Sequence, residues 1–179
     1  MKLTLILLTL MLLATFASAT TVDFNSYTPL DTWMSPIVSG GLTFNGSGMA
    51  VWTHSPNDNG TPALINFFAN DVTITLTGGG AFTLNSVDMT LSWYDNNLSG
   101  VITVNGNPIT LIQGLQTYNL NLSNVTSVVV SPITGFGYWL MDNVVYNNTT
   151  TTTPEPGTLA LLGSGMLAGG GVLRRKLML

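Results

Sequence analysis

Between Thr20 and Thr153 the residues best able to do chemistry are seven aspartates and one histidine: Asp23, Asp31, Asp58, Asp71, Asp88, Asp95 and Asp142, with His54. The segment holds no Glu, Lys, Arg or Cys, so its formal charge is −7 with His54 neutral. Nucleophilic catalysis is poorly served by this set. A Ser–His–Asp arrangement would have to use His54, and no GxSxG elbow presents a serine. Zinc needs several converging His, Cys or carboxylate ligands, and one histidine falls short. Paired carboxylates can hydrolyse a glycosidic bond, and Asp88 with Asp95 are the nearest pair in sequence. Yet Asp88 falls on the polar side of an alternating run, and Asp95 opens Asp95-Asn96-Asn97, where Asp is expected for local backbone hydrogen bonding. The inventory points away from an enzyme.

Two other chemistries remain open. Seven aspartates without a cationic competitor suit a hard cation such as calcium, which takes carboxylate and carbonyl oxygens. Asn57-Asp58-Asn59-Gly60 is not an EF-hand loop, because the first position would be Ser55 and no distal Glu follows. Trp33, Trp52, Trp93 and Trp139, with five tyrosines, could build a platform for sugar rings, although most tryptophans of a small sandwich lie in its core. Trp93 continues the apolar side of its run and is expected inside. Trp33, in a loop-like stretch before Pro36, is the expected exposed ligand-binding residue. Nucleic acid is excluded as a partner, since no Lys or Arg is there to displace phosphate counterions.

The elements that must position these residues read as short strands. Val72, Ile74 and Leu76 alternate with polar residues, as do Val87, Met89, Leu91 and Trp93, and Tyr118, Leu120 and Leu122. The pattern predicts strands near 22–27, 42–44, 48–54, 63–68, 71–77, 81–84, 86–93, 98–105, 108–112, 116–122, 126–131 and 138–146, some of them merging. Asn105-Gly106-Asn107 between two apolar runs predicts a hairpin. Helical periodicity is missing, and parallel strands would need crossover helices. The expected fold class is therefore all-β, an antiparallel β-sandwich or jelly roll over residues 20–146, flanked by a helix at each end.

Those ends have a different character. Residues 1–19 place Lys2 before the apolar stretch Leu3–Leu13, then Ala17-Ser18-Ala19. This is the order of a secretory signal peptide, cleaved after the small residues Ala17 and Ala19, and the apolar stretch is too short to span a bilayer. At the other end, residues 157–173 carry no charge over seventeen positions, which as a helix is about 25 Å, at the lower limit for crossing a bilayer core. Arg174-Arg175-Lys176 follow at once and are expected to stay in the cytoplasm, leaving residues 20–153 outside. The polar run 147–153 (NNTTTTT) reads as a spacer.

Pro154-Glu155-Pro156, the Gly/Ala/Leu-rich segment and Arg174-Arg175-Lys176 together resemble the PEP-CTERM sorting tail of bacterial exported proteins, over residues 154–179. The resemblance implies recognition of Pro154, Glu155 and Pro156 by a membrane-embedded exosortase that removes the helix, and an association with exopolysaccharide and biofilm. Leu177-Met178-Leu179 extend past the basic cluster, where that family often stops. The run from Gly78 to Tyr94, the following hairpin and the last strand (YWLMDNVVY) resemble, loosely, the short jelly-roll domains of such proteins, similar to carbohydrate-binding modules. That resemblance implies a structural calcium between first and last strand, near Asp23 and Asp142. Asp142-Asn143 could equally cap or kink the last strand.

The expected protein is non-enzymatic and exported through the Sec translocon. It is anchored in the inner membrane with its domain facing outward, then processed by exosortase to the cell surface or extracellular matrix. A carbohydrate-binding module is the alternative, and a glycoside hydrolase the second alternative.

Overall fold

The computed structural model describes residues 18–27, 33–52, 59–67, 70–91, 99–132, 138–148 and Gly165. Residues 1–149 form one compact unit and 150–179 another; the architecture below is that of the first. Both flanking helices expected from the sequence lie outside the described residues, among which no helix is long and apolar enough to cross a membrane.

Among the described residues twelve strands make two antiparallel six-stranded sheets, an all-β sandwich. The first sheet holds β1 (Thr20–Val22), β4 (Met49–Trp52), β5 (Ala63–Asn66), β7 (Phe82–Leu91), β10 (Gln116–Val125) and β12 (Trp139–Asn148), in the order β10-β7-β12-β5-β4, with β1 also pairing β12. The second holds β2 (Ile37–Ser39), β3 (Leu42–Gly46), β6 (Val72–Leu76), β8 (Ser99–Val104), β9 (Asn107–Ile112) and β11 (Val128–Pro132), in the order β2-β3-β6-β11-β8-β9. From β5 onward the chain passes from one sheet to the other, with the β8–β9 hairpin staying in the second.

The expected hairpin is present. Asn105 and Gly106 take φ of 49° and 78°, the left-handed pair that a two-residue turn matching strand twist requires. Asn105 is also tied to the neighbouring strand: its N–H donates to the Val129 carbonyl at 2.8 Å, and its Oδ1 accepts the Val129 N–H at 2.7 Å.

Elsewhere the boundaries differ from expectation for physical reasons. The runs 81–84 and 86–93 are one strand, β7, whose inward set switches from Phe82 and Leu84 to Val87, Met89 and Leu91. The switch is a bulge: Val145 faces Ser86 while Tyr146 faces Leu84, leaving Asn85 extra. The first strand covers Thr20–Val22 rather than 22–27, because a turn follows, closed by the Tyr27 N–H on the Phe24 carbonyl at 3.0 Å. β12 runs to Asn148, two residues into the expected spacer, with Asn147 and Asn148 opposite Thr83 and Phe82. β2 was not expected, its three residues being too few to show alternation.

Inside, Phe24, Phe44, Phe82 and Trp139 are fully buried, with Phe24 edge-on to Phe44 at 5.3 Å. Each such side chain contributes about 1.5–3 kcal/mol by burial. The Trp139 indole N–H is buried there without an acceptor among the described residues. A second, smaller cluster of Ala50, Ala63, Ile65 and Leu140 lies on the opposite face of the first sheet, so β5 is buried on both sides.

Sheet edges invite pairing with other chains, and lysines often guard them. Here neutral groups do so. The Tyr27 hydroxyl donates to the Val38 carbonyl at 2.6 Å and accepts the Val38 N–H at 3.0 Å, capping both edge groups of that β2 residue. The Tyr118 hydroxyl donates to the Thr110 carbonyl of β9 at 2.9 Å, and Thr90 Oγ1 reaches the Ile112 carbonyl at 3.1 Å. The Met34 N–H occupies the Met49 carbonyl of β4 at 2.9 Å. On β10, Asn121 and Asn124 take φ of 50° and 54°, where the register against β7 shifts. Tyr27→Phe and Tyr118→Phe are each expected to lower the unfolding free energy by about 1 kcal/mol in denaturant titrations. Combined, they should raise the mean mass in sedimentation velocity. A double variant as stable and as dispersed as the parent would remove this role.

Candidate functional site

The site begins with a break in pairing along β12. On one side β12 follows β7, with Asp142 opposite Asp88. On the other side β5 pairs Trp139–Met141 and β1 pairs Val144–Tyr146, so Asp142 and Asn143 fall in the gap between two strands. Asn143 takes φ of 46°, and the register against β7 shifts just beyond Asp142. The expected kink at Asp142-Asn143 is therefore present.

Asp142 is 1% exposed. Its Oδ1 accepts the Asn143 N–H at 2.8 Å. Its Oδ2 accepts the Asn59 amide at 3.1 Å and lies 3.1 Å from the Thr61 hydroxyl. Burial pushes the Asp142 carboxyl above its ordinary value, the hydrogen bonds from Asn143, Asn59 and Thr61 pull it down, and the charge of Asp23 adds a smaller upward push. Asp23 itself is exposed, with Oδ2 accepting the Asn25 amide at 2.9 Å. Asn143 links the two cross-strand carboxylates, donating its amide to Asp88 Oδ2 at 2.9 Å. Asp88 Oδ1 accepts the Thr117 hydroxyl at 2.6 Å.

The Thr61 hydroxyl has one hydrogen but two acceptors beside it, Asn59 Oδ1 and Asp142 Oδ2. The Thr61 N–H also donates to Asn59 Oδ1 at 3.0 Å, which sets that amide's orientation. Asp142 Oδ2 is served by the Asn59 amide and Asn59 Oδ1 by the Thr61 N–H, and the Thr61 hydroxyl can give its hydrogen to either. Carboxylate, hydroxyl and carboxamide oxygens are the kind calcium takes, so the donor set fits such an ion in type. Among the described residues no group of three His, Cys, Asp or Glu gathers, so neutral oxygens would have to supply most ligands.

A second cluster is aromatic. Trp33 is 57% exposed and stands perpendicular to Phe67, with ring centroids 5.0 Å apart. Phe67 also meets Trp52 at 5.9 Å and Tyr138 at 6.2 Å, both edge-on. The sheet register explains the grouping. Phe67 follows β5 and Tyr138 precedes β12, where Asn66 and Trp139 are paired. The Phe67 N–H on the Gly48 carbonyl and the Met34 N–H on the Met49 carbonyl, both 2.9 Å, bring the two loops to β4.

Asp88 lies opposite Asp142 across the β7–β12 pair. The sequence singles out Asp142 and names Asn143 beside it, but gives no sign that Asn59 and Thr61 meet Asp142 or that Phe67 and Tyr138 lie beside Trp33. Asp95, His54, Asp31, Asp58, Trp93 and Ala17 lie outside the described residues, as do Pro154, Glu155, Pro156, Arg174, Arg175 and Lys176. Ala19 is exposed just before β1.

Residues 152–176 match the PEP-CTERM protein-sorting motif, the mark of proteins exported to the cell envelope or surface with exosortase as processing partner. No curated protein matches the chain. Among solved structures it is similar to a peptidoglycan O-acetylesterase, at 13% identity and TM-score 0.48, over 74% of this chain and 35% of that one. A structure from work on glycan recognition by the Ruminococcus flavefaciens cellulosome matches at 16% identity and TM-score 0.32, over 72% and 96%. The CBM22-1–GH10 modules of Clostridium thermocellum xylanase 10B, complexed with xylohexaose, match at 11% identity and TM-score 0.37, over 70% and 27%. The chain spans about a third of the first of these structures and about a quarter of the third.

The raised Asp142 carboxyl sets a sign for pH dependence. A carboxyl whose folded pKa exceeds its unfolded value, about 3.9, favours folding in its protonated form. That stabilisation is complete below the unfolded value and is lost as pH rises through the folded one. In chelator, unfolding free energy measured across this window is expected to fall with rising pH, and Asp142→Asn to flatten the fall. An unchanged slope in the variant would assign the dependence to other groups.

Proposed function

We propose that this chain is a non-enzymatic surface or extracellular-matrix protein. The signal segment 1–19 passes it through the Sec translocon. Residues 157–173 hold it in the inner membrane, with Arg174, Arg175 and Lys176 inside. Exosortase then cuts at Pro154-Glu155-Pro156, and the domain joins the exopolysaccharide layer that surrounds biofilm cells. The match at residues 152–176 carries this reading. The thin acid–base inventory supports a non-catalytic role, since the carboxyl with a raised pKa is 1% exposed and hemmed in by neutral donors.

The mass of the protein recovered from cells with and without exosortase tests it. With the enzyme, the mature chain begins at Thr20 and ends near Pro154–Pro156. Without it, the chain keeps its tail. Identical masses in the two strains would end the proposal.

Calcium bound by Asp142 with Thr61 and Asn59, and Asp23 alongside, belongs to the same reading. Such an ion neutralises a carboxylate that meets no Lys or Arg among the described residues. A site filled to a hundred times its Kd adds about 2.7 kcal/mol to the unfolding free energy. The expected result is a rise in Tm with calcium that Asp142→Asn abolishes; no rise in the parent protein would remove the ion.

The exposed, edge-supported ring of Trp33 favours a second reading, a carbohydrate-binding module. On a glycan array Trp33→Ala is expected to weaken binding about two- to twelvefold, given about 0.5–1.5 kcal/mol for one aromatic contact. Array binding that ignores the substitution rules out Trp33 as the platform.

A further inference from the structure

β9 and β10 are edge strands of opposite sheets, and a groove of about 340 Å³ lies between them. Val104, Ile109, Leu120 and Leu122 line it, together with Tyr118 and the polar residues Asn107 and Asn119. At about 30 Å³ per water it has room for roughly ten waters, and it reaches the lower end of the range of ligand pockets. It is no packing defect sealed in the core. Ile109, Leu120 and Leu122 pack against core residues yet remain partly exposed to the groove's solvent. Tyr118 is fixed across the gap by its hydroxyl on the Thr110 carbonyl, so its ring is a preorganised wall. Asn107 and Asn119 are exposed, and their carboxamides make no hydrogen bond to the described residues.

The lining selects its occupant. No charged side chain lines the groove, and the surrounding domain has no Lys or Arg, so an anion has nothing to bind. An extended peptide would need a free strand edge. On β9, Pro108 lacks an N–H, the Thr110 carbonyl is taken by Tyr118, and the Ile112 carbonyl shares the Thr90 hydroxyl with the Leu91 carbonyl. On β10 the αL residues Asn121 and Asn124 interrupt the run. What remains is a neutral molecule with a C–H face for the apolar floor and hydroxyls for the carboxamides. We propose that the groove between β9 and β10 binds a neutral pyranose residue of a polysaccharide. The sugar's face rests on Ile109 and Leu120 beside the Tyr118 ring, and its hydroxyls bond to Asn107 and Asn119. This site is independent of the Trp33 cluster and of the processing of the tail.

The test is a methyl-NMR titration of the full chain in detergent micelles with cellotriose, xylotriose and galactose, and with galacturonate and hexanol as charged and apolar comparisons. The expected result is saturable shifts of the Ile109, Leu120 and Leu122 methyls with at least one neutral sugar. Asn107→Ala or Asn119→Ala, both at exposed positions, weakens this about fivefold, the loss of one hydrogen bond, and Trp33→Ala leaves it unchanged. Shifts confined to methyls beside the Trp33 cluster, a response to hexanol or galacturonate but to no neutral sugar, or no response at these methyls would each overturn the proposal.

Discussion

A buried carboxylate with no lysine or arginine beside it among the described residues must be held by neutral donors, a proton or a metal, and the middle of β12 is arranged around that limit. β12 is the strand on which the first sheet depends. β7 lies along one flank, and β5 and β1 share the other. The break between β5 and β1 leaves backbone and side chains of Asp142-Asn143 without a ladder partner on that flank. The bulge at Asn143 turns this gap into a polar pocket: its N–H serves Asp142, and its amide serves Asp88. An isolated buried charge is costly, and the upward displacement of the Asp142 carboxyl reflects that cost.

The same absence of cations shapes the periphery. Without salt bridges, the sandwich uses hydroxyls and carboxamides wherever another protein would use a lysine. Tyr27 and Tyr118 cap opposite edges of the second sheet. Tyr146 donates to the Gly40 carbonyl at 3.0 Å; a Cβ at Gly41 would lie 2.5 Å from that hydroxyl oxygen, and Gly41 has φ of 84°, so glycine is required there. Asn105 serves one turn and one neighbouring strand at once. These contacts are neutral and local, and they depend little on ionic strength.

What could be read from the chain alone follows from what alternation encodes. β6 and the C-terminal half of β7 were legible because every second residue is apolar and buried. β10 showed the same period, although its apolar residues are only partly buried. The unity of β7 was not legible, since a bulge at Asn85 reverses the parity and imitates a strand boundary. β5 reads apolar at three successive positions because its outer face is also buried, in the cluster with Ala50, Leu140, Trp52 and Phe67, which period two alone cannot anticipate. At the polar site Asp142 is buried and Asp23 exposed, the charge of Asp23 giving the smallest of the influences on the Asp142 carboxyl. Asn59 and Thr61 were hidden, because a contact across more than eighty positions has no local signature. Trp33 was legible as a loop residue. Phe67 and Tyr138 could be placed beside one another only once the pairing of β5 with β12 was known.

The central strand of the first sheet is also the last of the described strands. β7 and β5 have no neighbour to join them, and β1 no partner at all, until residues as far as Asn148 are present. Cut short of β12, the first sheet would fall into two separate pairs, β10 with β7 and β5 with β4, with β1 left single.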